Sequence, residues 1–179
     1  SAVRQPHIGE QESYQLYNAV LVHKLEQRSE ELEQRVEQLN HAMAQLTESE
    51  AAARLYCRAM DASANGILIA QLRDGQLLVQ YVNTAFSRMM GYDLGQVRGR
   101  DVHSIIHHPH NDAALGGLIE AILAQRSTLT QMQYQRPDGS AIWIDVSLSP
   151  VPDALGRITH YVAVFHDISE RKRYEEQLE

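Results

Sequence analysis

The 179 residues carry 44% apolar side chains and a formal charge of −7, enough for one hydrophobic core with an appendage. No Lys/Arg stripe is available to neutralise a row of phosphates, which argues against nucleic acid as a partner, and Ala19-Val20-Leu21-Val22 ends at His23-Lys24, far short of the ~20 apolar residues that span a membrane. The single cysteine, Cys57, has no internal disulfide partner and suits a reducing compartment, so a cytoplasmic location is expected.

Residues 1–13 hold Pro6 and Gly9 among polar groups without periodicity and read as a flexible lead-in. From Tyr14 the pattern changes. Val22, Leu25, Ser29, Leu32, Val36, Leu39, Met43 and Leu46 alternate by three and four, a heptad seam that predicts a coiled-coil helix over residues 14–55. Val at a with Leu at d favours two parallel strands, and in this register Arg28 at g meets Glu33 at e of the partner, an attractive pair. A parallel homodimer is therefore expected; the alternative is one amphipathic helix lying on its own globular domain. The chain begins without Met and ends inside a charged helical pattern, so both ends read as cut from something longer, with an effector following the last helix.

From Asp61 short apolar runs separated by turn signals replace the heptads. Gly66 to Ala70 and Leu77 to Val82 flank Asp74-Gly75, a strand, hairpin and strand. Asn83 is placed to cap the helix that carries Phe86, and Gly91 to end it. An irregular His-rich stretch follows Gly99 up to Asp112, then a connecting helix from Ala113 to Leu123. Three further strands are expected near 129–136, 140–151 and 158–166, and on alternation Ile142, Ile144, Val146 and Leu148 share one face while Trp143, Asp145 and Ser147 share the other. This order implies an α+β fold, a five-stranded antiparallel sheet with helices on one face.

The run Tyr81 to Arg100, with Asp74-Gly75 before it, Asp138-Gly139 and Trp143 after it, and the terminal Asp167-Ile168-Ser169, resembles a PAS domain over residues 56–169, with 170–179 starting the outgoing signalling helix. The nearest subfamily resemblance is to light-oxygen-voltage photoreceptors, whose Gly-Arg-Asn-Cys-Arg-Phe-Leu-Gln motif stands here as Gly99-Arg100-Asp101-Val102-His103-Ser104-Ile105-Ile106. Val102 has no nucleophile, so an FMN photoadduct is rejected. The flavin-contacting positions on the later strands read Tyr134 and Ile144. A partial resemblance to FAD-binding redox PAS domains rests on His103, His107, His108-Pro109 and His110. The same histidines stand where chemotaxis-linked PAS domains carry a haem ligand, His107 or His108 first. Ile67, Ile69, Val79, Met89, Met90, Ile105, Ile106, Leu115, Leu118, Ile122 and Ile144 would line such a pocket, or else form a plain closed core. Asn83, His103, His107, His108, His110, Ile105, Ile106, Tyr134 and Ile144 are thus the candidate cofactor residues, with no cofactor the leading expectation and haem or FAD the alternatives. A metal site is not expected: His103 and His107 have only Asp101 and Asp112 beside them.

Asp167, Ser169 and Glu170 have the form of a capping box and are the expected relay into the outgoing helix. No Gly-x-Ser-x-Gly, phosphate-cradling loop or spaced carboxylate pair is present, so no catalysis is expected in this segment. The resemblance implies a cytoplasmic sensory or relay module serving an effector such as a histidine kinase or diguanylate cyclase, in two-component or cyclic-di-GMP signalling. A ligand-free dimerisation scaffold is the rival reading.

Overall fold

A computed structural model describes residues 9–107 and 111–178. The chain divides into two compact units between Arg54 and Leu55. Helix α1 runs from Glu10 to Asp61. Glu10 to Ser13, assigned above to the loose lead-in, are helical: the Gly9 carbonyl accepts from the amides of Glu12 and Ser13 at 3.0 and 3.1 Å, and Glu10 and Glu12 face the positive end of the helix dipole. No residue of α1 is buried, and the seam positions Leu32 and Leu39 are 57% and 63% exposed.

Five strands follow, β1 (Gly66–Arg73), β2 (Gln76–Val82), β3 (Thr128–Gln135), β4 (Ala141–Pro152) and β5 (Ile158–Asp167), forming one antiparallel sheet in the order β2-β1-β5-β4-β3. The β1–β2 hairpin closes on Asp74 and Gly75, both at positive φ (51° and 78°), the conformation a two-residue turn between twisted strands requires. Ile142, Ile144, Val146 and Leu148 are all buried, as the alternation predicts. On β1 the phase is the reverse of the expected pocket lining: Leu68 and Ala70 are buried, whereas Ile67 and Ile69 stand half-buried on the other face. An apolar run that is hydrophobic at every position carries no alternation to decide between its two faces.

Between β2 and β3 lie α2 (Thr84–Met90), α3 (Leu94–Val97), α4 (Val102–Ile106) and α5 (Asp112–Leu123); α6 (Ser169–Gln177) follows β5. Asn83 caps α2, its side chain accepting from the Phe86 amide, and Gly91 ends it at φ 80°. Glycine is needed at that point twice over, since a Cβ would also stand 3.0 Å from Pro137 Cδ. One short helix, α4, interrupts the stretch expected to be irregular, and another, α3, stands just before it. Asp93 and Gln96 form a reciprocal capping box on α3, and Asp101 caps α4 by accepting from the His103 amide. Phe86 and Phe165 meet edge to face, ring centroids 5.2 Å apart, at the centre of the core.

Candidate functional site

Between the inner face of the sheet and helices α4 and α5 lies a cavity of about 340 Å³. Val146, Leu148, Ala163 and Phe165 make its floor and Leu115, Leu118 and Ile122 its roof; Gly75, Asp101, His103, Ile119 and Leu123 stand around it as well. Leu123 is 81% exposed and Ile119 also faces solvent, which marks the side where the cavity opens, between the end of α5 and the β1–β2 turn. Tyr161, fully buried on β5, donates its hydroxyl to the Ile122 carbonyl at 2.9 Å and ties roof to sheet.

Of the nine candidate cofactor residues, His103 and Ile106 line this cavity. His107 does not: its Nε2 lies 3.2 Å from Asp112 Oδ1, and its ring sits 5.0 Å from that of His103. His108 and His110 lie outside the described residues. Ile105 and Ile144 are ordinary core. Tyr134 is buried and donates to the Met90 carbonyl at 3.2 Å, while Arg136 Nε donates to that of Met89 at 2.6 Å. These two side chains fasten the end of α2 to β3, and burial pushes the Tyr134 phenol well above its usual range.

Asn83 is a structural clamp, not a ligand contact. Its Oδ1 accepts from the amides of Ile67 and Phe86 at 2.8 and 2.9 Å, and its Nδ2 donates to the carbonyls of Met60 and Asn65 at 2.7 and 3.0 Å. All the hydrogen-bonding capacity of the amide is spent on joining the end of α1 to the sheet. Asp61 adds a second fastening, accepting from Tyr81 Oη, Thr84 N and Thr84 Oγ1. Neither Asp61 nor Asn65 was signalled by the sequence, because partners more than fifteen residues away leave no local motif.

A flavin does not fit these residues. An isoalloxazine ring needs donors and acceptors along its polar edge, and Asp101 and His103 are the only polar side chains among the described lining residues. Haem would have the single described imidazole of His103 and no lysine or arginine in those walls for its carboxylates. Among the described residues no group of three His, Cys, Asp or Glu side chains is arranged for a metal ion.

At the far end of β5 the expected capping box takes another form. Asp167 Oδ1 accepts from the Ser169 amide at 2.9 Å, but the N-cap residue of α6 is Ile168, which has no side-chain cap bond, and the reach-back of Glu170 is not made. Ser169 turns to the neighbouring strand: Trp143 N donates to Ser169 Oγ at 3.0 Å, and Ile168 N donates to Trp143 O at 2.9 Å. Lys172 Nζ lies 5.3 Å from the Trp143 ring centroid, and Arg171 reaches Asp145 at 3.8 Å. His166 Nδ1 lies 2.8 Å from Asn65 Oδ1, linking the start of β1 to the end of β5.

The fold agrees with comparisons to known proteins. The chain is 30% identical over 131 residues to the bacterioopsin transcriptional activator of Halobacterium salinarum, covering 73% of this chain and 19% of that protein. It is 28% identical over 91 residues to a blue-light-activated histidine kinase of Brucella abortus, covering 51% and 19%. The chain thus spans about a fifth of the length of these relatives. The solved structure of an RNA-binding light-oxygen-voltage receptor superposes with a TM-score of 0.61 at 30% identity, over 70% of this chain and 36% of that one. The PAS domain family profile matches residues 64–170, and the chain belongs to the PAS domain family, whose members here are parts of signal-transduction sensors.

Proposed function

We propose that this chain is a cytoplasmic, dimeric sensory and relay module that couples an event in its cavity, or one arriving through α1, to an effector following α6. Histidine kinases and diguanylate cyclases are the effector classes that suit it, and the segment itself performs no catalysis. The reading is carried by the clasp between α6 and β4. Trp143 holds the first turn of α6 through its amide, its carbonyl and its ring, so a shift of β4 and β5 relative to each other must move the outgoing helix. The floor of the cavity is made by the same two strands.

The open seam of α1 supports a parallel coiled coil as the dimer contact. A seam Leu fully buried between two copies stabilises by about 1.5–3 kcal/mol, and Val22, Leu25, Leu32, Val36, Leu39, Met43 and Leu46 are all exposed in the single chain. A change in the packing of α6 then reads out as rotation or splaying of paired outgoing helices, a population shift between two arrangements. The test is effector output from the effector-bearing protein. Ser169→Ala removes the acceptor for the Trp143 amide and is expected to change basal output several-fold without changing the mass of the dimer. Unchanged output would sink the relay.

A further inference from the structure

We infer that the cavity takes an uncharged, largely apolar ligand of about two-ring bulk, admitted between the end of α5 and the β1–β2 turn. The inference rests on the sensory reading above and gives that site a ligand chemistry. Volume sets the size. An apolar cavity of about 150 Å³ accepts one benzene, so about 340 Å³ holds two such rings or an alkyl group of the same bulk.

The walls set the polarity. Floor and roof are aliphatic apart from Phe165, so a polar atom lodged there would lose its water without gaining a partner. The one formal charge among the described lining residues is the Asp101 carboxylate, at the start of α4. A carboxylate or phosphate ligand would meet like charge there, and no lysine or arginine in the described walls offsets it. Asp101 and His103 together can receive one neutral polar end, a hydroxyl for instance, at the edge of the apolar body.

The way in is also visible. Leu123 presents its apolar side chain almost wholly to solvent while lining the cavity, and Gly75 of the β1–β2 turn, also in the lining, carries no side chain. Tyr161 gives the bound ligand a route to the output. A ligand that lifts α5 pulls on Ile122 and through the Tyr161 hydroxyl on β5, which ends in the clasp with α6.

The experiment titrates the chain with naphthalene and with 2-naphthoate, following backbone amide resonances, with FMN and haemin as separate arms. Naphthalene is expected to shift resonances of α5, β4 and β5, and 2-naphthoate to bind about tenfold more weakly because of Asp101. Asp101→Asn keeps the acceptor that caps α4 and removes the charge, so it is expected to narrow that difference. Ala163→Leu fills the floor and should abolish binding; if it does not fold, Leu123→Lys at the exposed mouth should weaken naphthalene severalfold. Absence of naphthalene binding, 2-naphthoate bound as tightly as naphthalene, or stoichiometric binding of FMN or haemin would each overturn the inference. Naphthalene binding that leaves amide exchange in α6 unaltered would uphold the ligand class and count against the relay. No naphthalene binding together with an output change in Ser169→Ala would do the reverse.

Discussion

The sheet unit and the long helix treat apolar side chains in opposite ways. In the first, Val79, Phe86, Ile144 and Tyr161 are entirely withdrawn from water; in the second, a heptad stripe of Leu and Val stands in it. The sheet unit closes its core with its own residues, whereas the stripe on α1 finds no cover within the described residues and, on the dimeric reading proposed above, meets a second copy. A single helix gains little from such a stripe, since most helix stability in proteins comes from packing an apolar face. Replacing both Leu32 and Leu39 by Asp therefore has the largest expected effect: light scattering should report half the dimer mass, while the thermal transition of the sheet unit stays in place. A mass that remains dimeric would move the interface elsewhere, first to the outer face of β1 and β5, where Ile67, Ile69, Val162 and Val164 are only half-buried.

The reverse experiment strikes the sheet unit and spares the dimer. Asn83→Ala deletes four hydrogen bonds at a buried position. It strands donors and acceptors that water reaches poorly, with an expected loss of about 3 kcal/mol. The urea midpoint should fall accordingly with the dimer mass unchanged. Asn83→Asp keeps the two bonds accepted by Oδ1 but turns a carboxylate oxygen against the carbonyls of Met60 and Asn65 at a buried position, so its midpoint at neutral pH should lie at or below that of Asn83→Ala.

Tyr161→Phe is smaller and more local. It removes one hydroxyl bond, about 1 kcal/mol, and its chief expected effect is faster amide exchange at the end of α5, where the Ile122 carbonyl loses its tie to the sheet. Equal exchange in the two proteins would show that roof and floor are held together by apolar packing alone.

The strands, the Asp74-Gly75 turn and the cap at Asn83 were legible because each has a local signature: alternation, a turn dipeptide, a short acceptor before an apolar helix. The capping box of Asp93 and Gln96 is equally written in the sequence, inside the longer run from Tyr81 to Arg100. The cavity was not legible, because the same aliphatic residues make either a void or a closed core, and only the placing of α5 over the sheet separates them. Asn83 and Tyr134 were misread as ligand contacts for a related reason. Family position says where a side chain points, but whether its polar atoms are free depends on partners such as Met60 and Met90, distant in the chain.

The smallest expected effect lies where α1 enters the sheet unit. Burial, then the negative charge of Asp61 and its hydrogen bond, push the Tyr81 phenol up to about 12. The Thr84 amide holds the Asp61 carboxyl below its usual value against a weaker opposing effect of burial, with the Thr84 and Tyr81 hydroxyls assisting. Tyr81 has the raised value in the fold, so its contribution to stability is complete below about 10 and is lost as pH rises from there to about 12. Asp61 has the depressed value, so its contribution is present above the ordinary 3.8 and is lost as pH falls through its lower folded value. Urea midpoints measured against pH should therefore decline at both ends. Tyr81→Phe should lessen the alkaline decline, to which the buried Tyr134 and Tyr161 also contribute, and leave most of the acid one, because Thr84 still serves Asp61. Asp61→Asn should lessen the acid decline, to which Asp138 and Asp153 also contribute, and bring the Tyr81 titration only part of the way back, since burial, the larger cause, remains. A full return to the ordinary phenol value would mean that the carboxylate, and not the surrounding apolar packing, governs this junction.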